Sequence, residues 1–332
     1  MNGGVDGGGA GAVVVAVGND IGPAVDWAAA EAAARGCRLH VVHAERLRWA
    51  VDPSGLVPVA DFLSYRATAV PLLREAVNRA RAVASDVDVV AELAFGPTVP
   101  SVLDRSRGAQ LLVLDSRTPP FRTGLLRRLT SSTGGRIAGR ALCPVAVVRP
   151  LRSRPQAGSP PRVVVGVDVR RPCAPTLDVA FRAAAQRGVQ LTAVHAWTPD
   201  VPADHEAVCG PVAASQARAD ELLREVLEPW RSRFAGVPVA TRLVIGDPAA
   251  EVVRESEGAA LVVIGSGARG SLRRLLGSVS RSVAQRVRCP VVVVRTDVAT
   301  VDERAQAERR TASPDPDPFR AEPFQRRRKP RE

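Results

Sequence analysis

The chain has 332 residues, 45% of them hydrophobic, which is enough for two domains of ordinary size, each with its own core. The formal net charge of +12 comes almost wholly from arginine, since Lys329 is the only lysine, and only 4% of residues are aromatic. No apolar run approaches the roughly 18 residues of a membrane span, and no basic flank precedes the first apolar run. We therefore expect a cytoplasmic protein with no membrane anchor and no signal peptide.

The first half of the chain alternates apolar runs with helix-like segments. Residues 1–11 are rich in glycine and are expected to be flexible, and the first domain is expected to span residues 12–150. Its predicted strands, in chain order, are VVVAV, RLHVVHA, VVAELAF, LLVLD and VAVVR. These continuous Val-rich runs are typical of a parallel sheet that is covered on both faces. The helical segment DWAAAEAAARG ends at a glycine, which is a common helix C-cap.

The second half repeats this alternation. Residues 151–161, LRSRPQAGSPP, are interpreted as a linker, and the second domain is expected to span residues 162–296. Its predicted strands are VVVGV, QLTAVHA, VATRLVI, LVVIG and VVVVR, with the helical segment LDVAFRAAAQRG again closed by glycine. Residues 297–332 mix opposite charges with several prolines and few aliphatic residues, so we expect a disordered charged tail.

Five segments recur in the two halves in the same order. The matches are AVVVAVGND (12–20) with RVVVGVDVR (162–170), ARGCRLHVVHA (34–44) with QRGVQLTAVHA (186–196), FGPTVPSVLDRS (95–106) with IGDPAAEVVRES (245–256), RGAQLLVLDSR (107–117) with EGAALVVIGSG (257–267), and LCPVAVVRP (142–150) with RCPVVVVRT (288–296). A repeat of this length indicates a duplicated domain and not a solenoid unit. The sequence therefore predicts the α/β class, with two tandem open doubly wound parallel-sheet domains of Rossmann-like architecture.

The cysteines and histidines form no recognisable metal or disulfide pattern. The five cysteines are odd in number and include no CxxC pair. His40 and His43 have the i, i+3 spacing of a possible ligand pair, but both lie in or beside an apolar strand with no carboxylate or thiolate at metal-motif spacing. We expect core or edge histidines here and no metal site.

A glycine-rich loop follows the predicted strand LVVIG. It contains Gly265, Gly267, Gly270 and Gly277, with Ser278 at the start of the next helix. Ligands of open α/β sheets bind outside the carboxyl ends of the strands, and glycines there let backbone N–H groups and a helix N-terminus approach a polyphosphate. A tight structural turn would use the same glycines, so the loop alone leaves phosphate binding and a purely structural role equally open.

The second half resembles a universal stress protein domain of the nucleotide-binding type. The resemblance rests on the strand VVVGVD ending in Asp168, on AVHAW at 193–197, on GDP at 246–248, and on the closing CPVVVVR. The loop reads G-x-G-x9-G-S where the family has G-x2-G-x9-G-[ST], so its first gap is one residue shorter. In weaker form the resemblance extends to the first half.

This resemblance implies an adenine nucleotide, ATP, as the ligand of the second domain, with Mg²⁺ left open as its companion. It implies that Asp168 faces the adenine or ribose and that the backbone near Val194 and Ala196 frames the base. The residues that would hold the phosphates are Gly265, Gly267, Gly270, Gly277, Ser278 and Val279. From the residues alone, Asp168 has an alternative role as a strand-end carboxylate that caps the following loop.

The first half departs from the nucleotide-binding pattern. Gly18 stands where the second half has Asp168, and the loop begins with Asp115, whose carboxylate would repel a phosphate. Pro119 and Pro120 withhold two backbone donors from the same loop. We expect a partner domain with a degenerate nucleotide loop.

The resemblance implies a stress-response regulator without dedicated catalysis, with slow ATP hydrolysis left open. A nucleotide-free interaction or scaffold protein of the same family is the alternative. An adenylyl-transferring or ATP-hydrolysing enzyme is less well supported, because the sequence has no HxGH, SGGxDS or GxxxxGK[ST] motif. Nucleic-acid binding by the arginine-rich tail is also disfavoured, because acidic residues accompany its arginines and the folded part lacks aromatic stacking platforms.

Each half ends in a similar apolar strand, CPVAVVR at 143–149 and CPVVVVR at 289–295. Universal stress domains usually pair through this final strand. Two copies in one chain can satisfy that pairing internally, which would hide both exposed edges. We expect an intrachain domain pair, with a homodimer through another surface left open.

Overall fold

The computed structural model describes residues 11–19, 21–45, 59–116, 133–149, 160–171, 173–197, 209–267 and 277–296, without the side chains of 59–65 and 209–212. Several expectations concern residues outside these ranges. They are those for the charged tail at 297–332, for the first ten residues, for most of the linker, and for the loop with Pro119 and Pro120. None of the helices within the described ranges has the length and hydropathy needed to span a membrane.

Both halves alternate strands and helices as the repeat predicts. The first half contains β1 (Val13–Val17), α1 (Pro23–Arg35), β2 (Leu39–Glu45), α2 (Val59–Val83), β3 (Val89–Phe95), α3 (Thr98–Arg105), β4 (Leu111–Asp115), α4 (Thr133–Ala138) and β5 (Val145–Val148). The second half contains β6 (Arg162–Gly166), α5 (Ala174–Arg187), β7 (Gln190–Trp197), α6 (Cys209–Arg233), β8 (Val239–Ile245), α7 (Pro248–Glu255), β9 (Leu261–Gly265), α8 (Ser278–Arg286) and β10 (Val291–Val294). All ten predicted strands are present, and the predicted α/β class is confirmed.

The strands form one ten-stranded sheet in the order β3-β2-β1-β4-β5-β10-β9-β6-β7-β8. Within each half every neighbouring pair is parallel. Each half therefore has the doubly wound order 3-2-1-4-5. Strands two and three lie on one side of the first strand, and strands four and five lie on the other side. In the second half this switch point lies between β6 and β9, and a crevice is expected at their carboxyl ends.

The two halves meet through their final strands. β5 and β10 pair antiparallel, with Val145 opposite Val293, Ala146 opposite Val292 and Val147 opposite Val291. This is the only antiparallel pair among the strand pairs of the described sheet. The edges of both halves are thereby joined in one sheet.

Alternating side chains of the strands enter different apolar clusters. Val13 and Val15 of β1 point to one face of the sheet and Val14 to the other, as the two-residue period of a strand requires. The first face carries one continuous cluster that includes residues of both halves, such as Val148 and Val294. The opposite face carries a separate cluster for each half. The core therefore crosses the seam between the halves on one side only.

The helices that follow β1 and β6 end where the sequence predicts. Gly36 and Gly188 take the left-handed conformation, with φ of 59° and 60°, directly after α1 and α5. Glycine adopts this conformation without the steric penalty that a side chain brings. Each helix is thus stopped at a defined residue, and the chain turns into the next strand.

Candidate functional site

A cavity of about 410 Å³ opens at the carboxyl ends of β6, β7 and β9, at the switch point of the second half. Helices α5 and α8 both begin at its wall, since Cys173 and Gly277 precede them and line the cavity. Of the predicted site residues, those that line the cavity are Asp168, Val194, Ala196, Gly265, Gly267, Gly277, Ser278 and Val279. Gly270 lies outside the described residues. The fold thus brings together residues that are more than 100 positions apart in the chain.

Asp168 follows the end of β6 and holds the loop after it. One carboxylate oxygen accepts a hydrogen bond from the backbone N–H of Arg170 at 3.1 Å, and the other lies 2.9 Å from Nε of Arg171. The loop-capping role considered for Asp168 is therefore present in the structure. The side chain is still half-exposed and lines the cavity, so capping does not remove it from a ligand's reach.

Arg171 links Asp168 to the glycine loop. Its Nη1 donates a hydrogen bond to the carbonyl oxygen of Gly267 at 3.1 Å. The guanidinium therefore extends from the strand-end carboxylate to the residue at which the loop leaves β9. Its positive charge offsets the negative charge of Asp168 at the wall of the cavity.

The end of β7 presents backbone polar groups to the cavity. β6 pairs with β7 as far as Gly166 opposite Val194, and the Val194 carbonyl accepts from the N–H of Val167 at 2.9 Å. Backbone groups of residues two apart on a strand point to the same side. Those of Ala196 therefore face the side on which β6 has already ended, where they can hydrogen-bond to the edge of a planar base.

The start of α8 is built from close backbone contacts. The N–H of Gly277 donates to the carbonyl of Ser266 at 2.8 Å, and Oγ of Ser280 donates to the carbonyl of Gly265 at 2.6 Å. A Cβ on Gly277 would lie 3.0 Å from the Ser266 oxygen and 3.2 Å from the carbonyl carbon of Gly267. The neighbouring backbone thus leaves little room for a side chain at this position, before any ligand is considered.

No side chain of the described residues caps the N-terminus of α8. The first N–H groups of a helix have no partner inside the helix, and together with the helix dipole they attract an anion. Ser278 and Val279 occupy these positions and line the cavity. The uncapped start of α8 therefore opens towards the cavity.

The start of α5 contributes a buried hydroxyl. Thr176 is 1% exposed, lines the cavity, and its Oγ1 finds no hydrogen-bond partner among the described residues. Leaving a buried polar group unpaired costs about 1–3 kcal/mol, which a bound ligand or a water would recover. A Cβ at Gly265 would come within 3.2 Å of this oxygen and 2.8 Å of Cγ2 of Thr296. A side chain at Gly265 would therefore crowd this buried hydroxyl, which lies at the wall of the cavity.

Cys173 and His195 also line the cavity, and the structure restricts the chemistry of both. Burial, together with the nearby charge of Asp168, raises the pKa of the Cys173 thiol to about 11, so the thiol stays protonated and weakly nucleophilic at neutral pH. Nδ1 of His195 donates to the carbonyl of Val167 at 2.9 Å. His43 makes the same bond to Val17 in the first half at 3.1 Å, so this histidine has a role common to both folds.

Metal coordination finds no support in the described part of the chain. His40 and His43 are both buried, and each lies beside one glutamate, Glu92 and Glu45 respectively. No group of three or more His, Cys, Asp or Glu side chains within the described ranges is arranged to hold a metal ion.

The corresponding region of the first half is filled by a carboxylate. Asp115 stands at the position of Gly265, and a Cβ on Gly22 would lie 1.9 Å from one of its carboxylate oxygens. The side chain of Asp115 thus packs directly against the backbone at the start of α1. In the second half the equivalent space, beside Thr176, belongs to the cavity.

Other lining residues were not named from the sequence as ligand contacts. Among them are Arg171, Thr176, Trp197, Ser280 and Thr296. Trp197 closes the strand AVHAW and is the one with a signal in the sequence, because a large aromatic residue at the carboxyl end of a parallel strand lies where ligands bind. The others reach the cavity only through the tertiary arrangement.

Comparison with known proteins agrees with the repeat and the fold. The universal stress protein family matches twice, at residues 11–149 and 161–295. The universal stress protein Rv2005c of Mycobacterium tuberculosis is 36% identical over 280 residues, covering 81% of this chain and 91% of its own length. A second protein of that organism, Rv2623, is 32% identical over 302 residues, covering 85% of this chain and 96% of its own length.

Solved structures show the same architecture. A universal stress protein from Archaeoglobus fulgidus superposes with a TM-score of 0.60 at 20% sequence identity, covering 86% of this chain and 96% of its own chain. At this identity the likeness concerns the fold. Together with the two family matches along the sequence, it shows that the chain belongs to the universal stress protein family and carries two tandem domains of that family.

Proposed function

We propose that the second domain binds ATP, or a closely related adenine nucleotide, in the cavity between α5 and α8. The observation that carries this proposal is the convergence of eight motif residues on one cavity of about 410 Å³. A mononucleotide site needs a volume of this order, with few but well-placed polar groups. The uncapped start of α8 and the guanidinium of Arg171 supply these groups for the phosphates.

The nucleotide would lie with its base towards the end of β7 and its phosphates towards α8. The Ala196 backbone and the apolar wall at Val194 and Trp197 suit an adenine ring, and Asp168 suits the ribose hydroxyls. Gly265, Gly267, Gly270, Gly277, Ser278 and Val279 are the proposed phosphate contacts, six residues in a single connection. Mg²⁺, where it accompanies ATP, would be held mainly by the phosphates.

A regulatory role agrees better with this cavity than a dedicated enzymatic one. Two of its lining groups are already paired or kept neutral: Asp168 pairs with Arg171, and the thiol of Cys173 stays protonated. A general base needs a free acceptor within reach of its proton. We propose a protein that responds to stress in the cytoplasm through nucleotide binding, with turnover slow or absent.

We propose further that residues 12–150 and 162–296 form the two domains and that they act as one intrachain pair. The antiparallel pairing of β5 with β10 and the apolar cluster shared by both halves support this. The first domain, with Gly18 and Asp115 in place of Asp168 and Gly265, would act as a partner that does not bind nucleotide.

Two measurements test the nucleotide site. Purified protein is denatured and its extract analysed for adenine nucleotide that has co-purified, and nucleotide-free protein is then titrated with ATP by calorimetry. We expect one ATP per chain. Two equivalent sites would contradict the assignment to the second domain, and no binding of ATP, ADP or AMP would favour the nucleotide-free scaffold instead.

A further inference from the structure

Arg149, the residue after β5 in the first domain, reaches into the second domain. It is 6% exposed, its Nη1 donates to the carbonyl oxygen of Val287 at 2.9 Å, and its Nη2 donates to that of Ala284. Both carbonyls belong to the last turn and C-cap of α8. A charged side chain of one domain therefore holds the end of a helix in the other.

The contact satisfies a general need of helix C-termini. The last carbonyls of a helix have no intrahelical partner and carry the negative end of the helix dipole, so a cation that donates to them is favourable. Burial lowers the pKa of Arg149, because the charged form loses its hydration. The two bonds from Nη1 and Nη2 offset part of this cost, while Nε is buried without a hydrogen-bond partner among the described residues.

The opposite end of the same helix begins the phosphate side of the cavity. α8 has nine residues, so its ends are only about 13 Å apart at 1.5 Å per residue. Its first turn is tied to β9 by the bond of Ser280 to Gly265 and by that of Gly277 to Ser266. α8 is thus fixed at its start by the second domain and at its end by the first.

We propose that Arg149 is a positioning residue for the anion-binding end of α8, so that the first domain sets the nucleotide affinity of the second. This inference rests on the nucleotide site proposed above. It gives the first domain, whose own loop is degenerate, a defined part in the site without any contact to the ligand. By thermodynamic linkage, nucleotide binding must in turn strengthen the contact between the domains.

A second contact across the seam provides a matched control. Arg187, the last residue of α5, pairs with Glu31 of α1, and Glu31 also accepts from Arg35 at 3.2 Å. Substitution Arg187→Ala removes an ion pair between the domains, leaves Glu31 with a partner, and touches no atom of α8. This variant shows whether weakening the contact between the domains in general, without loss of the Arg149 bonds to α8, changes nucleotide binding.

The experiment compares Arg149→Met, Arg149→Lys and Arg187→Ala with wild type by ATP titration and by amide hydrogen exchange without nucleotide of residues 281–286, which begin with the first amide bonded within α8, that of Arg281 to Gly277. For Arg149→Met we expect ATP binding to weaken about tenfold, which corresponds to the free energy of about one charge-assisted hydrogen bond. We also expect faster exchange at these amides. Arg149→Lys keeps the charge and should recover part of both. Arg187→Ala should change ATP affinity by less than about twofold, because distant sites with no shared partner act nearly independently.

Unchanged exchange and unchanged ATP affinity in folded Arg149→Met would overturn the inference, and so would an equal loss of affinity in Arg187→Ala. If Arg149→Met fails to fold, Arg149→Lys decides by the same two readouts. The exchange measurement needs no ligand. Wild-type protein that binds no nucleotide would therefore refute the proposed function, while the exchange comparison would still test the coupling through α8.

Discussion

The guanidinium of Arg171 lies 2.9 Å from the carboxylate of Asp168 and at the same time donates to the carbonyl of Gly267 at 3.1 Å. One side chain thus joins the residue expected at the ribose to the loop expected at the phosphates. In this arrangement the negative charge of Asp168 is balanced before any ligand arrives. An anionic ligand then approaches a cavity whose local charge is not repulsive.

Substitution Arg171→Ala should weaken the binding of ATP more than that of AMP. The guanidinium lies next to the glycine loop, which is the proposed phosphate site. Its removal should therefore reduce the affinity most for ATP, the ligand with the most phosphate charge. A charge-assisted hydrogen bond contributes about 1.5–3 kcal/mol, which corresponds to about tenfold or more in affinity for ATP. Calorimetric titration with ATP, ADP and AMP measures this. An equal loss for all three nucleotides would place Arg171 away from the phosphates.

Substitution Gly277→Val should reduce ATP affinity by at least about tenfold while the protein remains folded. The new Cβ meets the backbone of Ser266 and Gly267 at 3.0–3.2 Å, so the loop and the first turn of α8 must move apart. Gly134→Ala in α4 is the control, because a Cβ there would meet no atom of the described residues within 4 Å beyond its chain neighbours and its own helix backbone. The control should keep wild-type affinity and gain up to about 1 kcal/mol of stability. Wild-type ATP affinity in folded Gly277→Val would make the loop purely structural.

Substitution His40→Thr should make stability less dependent on pH between 7 and 5. His40 is buried, and this burial lowers its pKa below the ordinary 6.5, with Glu92 opposing the shift. As the pH falls through 6.5 the unfolded chain therefore takes up a proton that the folded protein does not, and stability is lost. Threonine occupies the equivalent position in the second half at Thr192, and Glu92 keeps Arg105 as a partner at 2.6 Å.

Urea denaturation of wild type and His40→Thr at pH 7 and pH 5 gives the two differences in unfolding free energy. The wild type should lose more stability than the variant over this interval, whatever the variant's stability at pH 7. Equal losses would show that His40 titrates alike in the folded and unfolded states.

Cysteines placed at Ala146 and Val292 should form a disulfide within one chain. These residues oppose each other in the β5–β10 ladder, and opposed residues of antiparallel strands have Cα atoms about 4.5–5.5 Å apart, within the range of a disulfide. The experiment uses dilute protein whose native cysteines are replaced by alanine, read by non-reducing gel electrophoresis. A matched pair at Ala146 and Val294, out of register by two residues, should link poorly. Links that form only between chains would place the pairing in a homodimer.

The sequence by itself determined the duplicated domain, the ten strands and the α/β class. These features can be read from the sequence without tertiary information. They are continuous valine runs, glycines that end helices such as Gly36 and Gly188, and the recurrence of segments in the same order. The motif residues of the second half were identified in the same way. Asp168 follows the end of a predicted strand and Gly277 precedes a predicted helix, and both line the cavity. Their convergence then follows from parallel strands sharing a carboxyl edge.

The tertiary structure alone decided how these residues are supported. Arg149 meets the end of α8 across 138 and 135 positions of sequence, and Arg171 meets Gly267 across 96. Thr176 faces the cavity because α5 packs beside β9, not because of any motif around it. Contacts of this kind depend on strand order and on the pairing of β5 with β10. No local pattern of residue types encodes them, since an arginine followed by proline or an isolated threonine occurs in many surroundings.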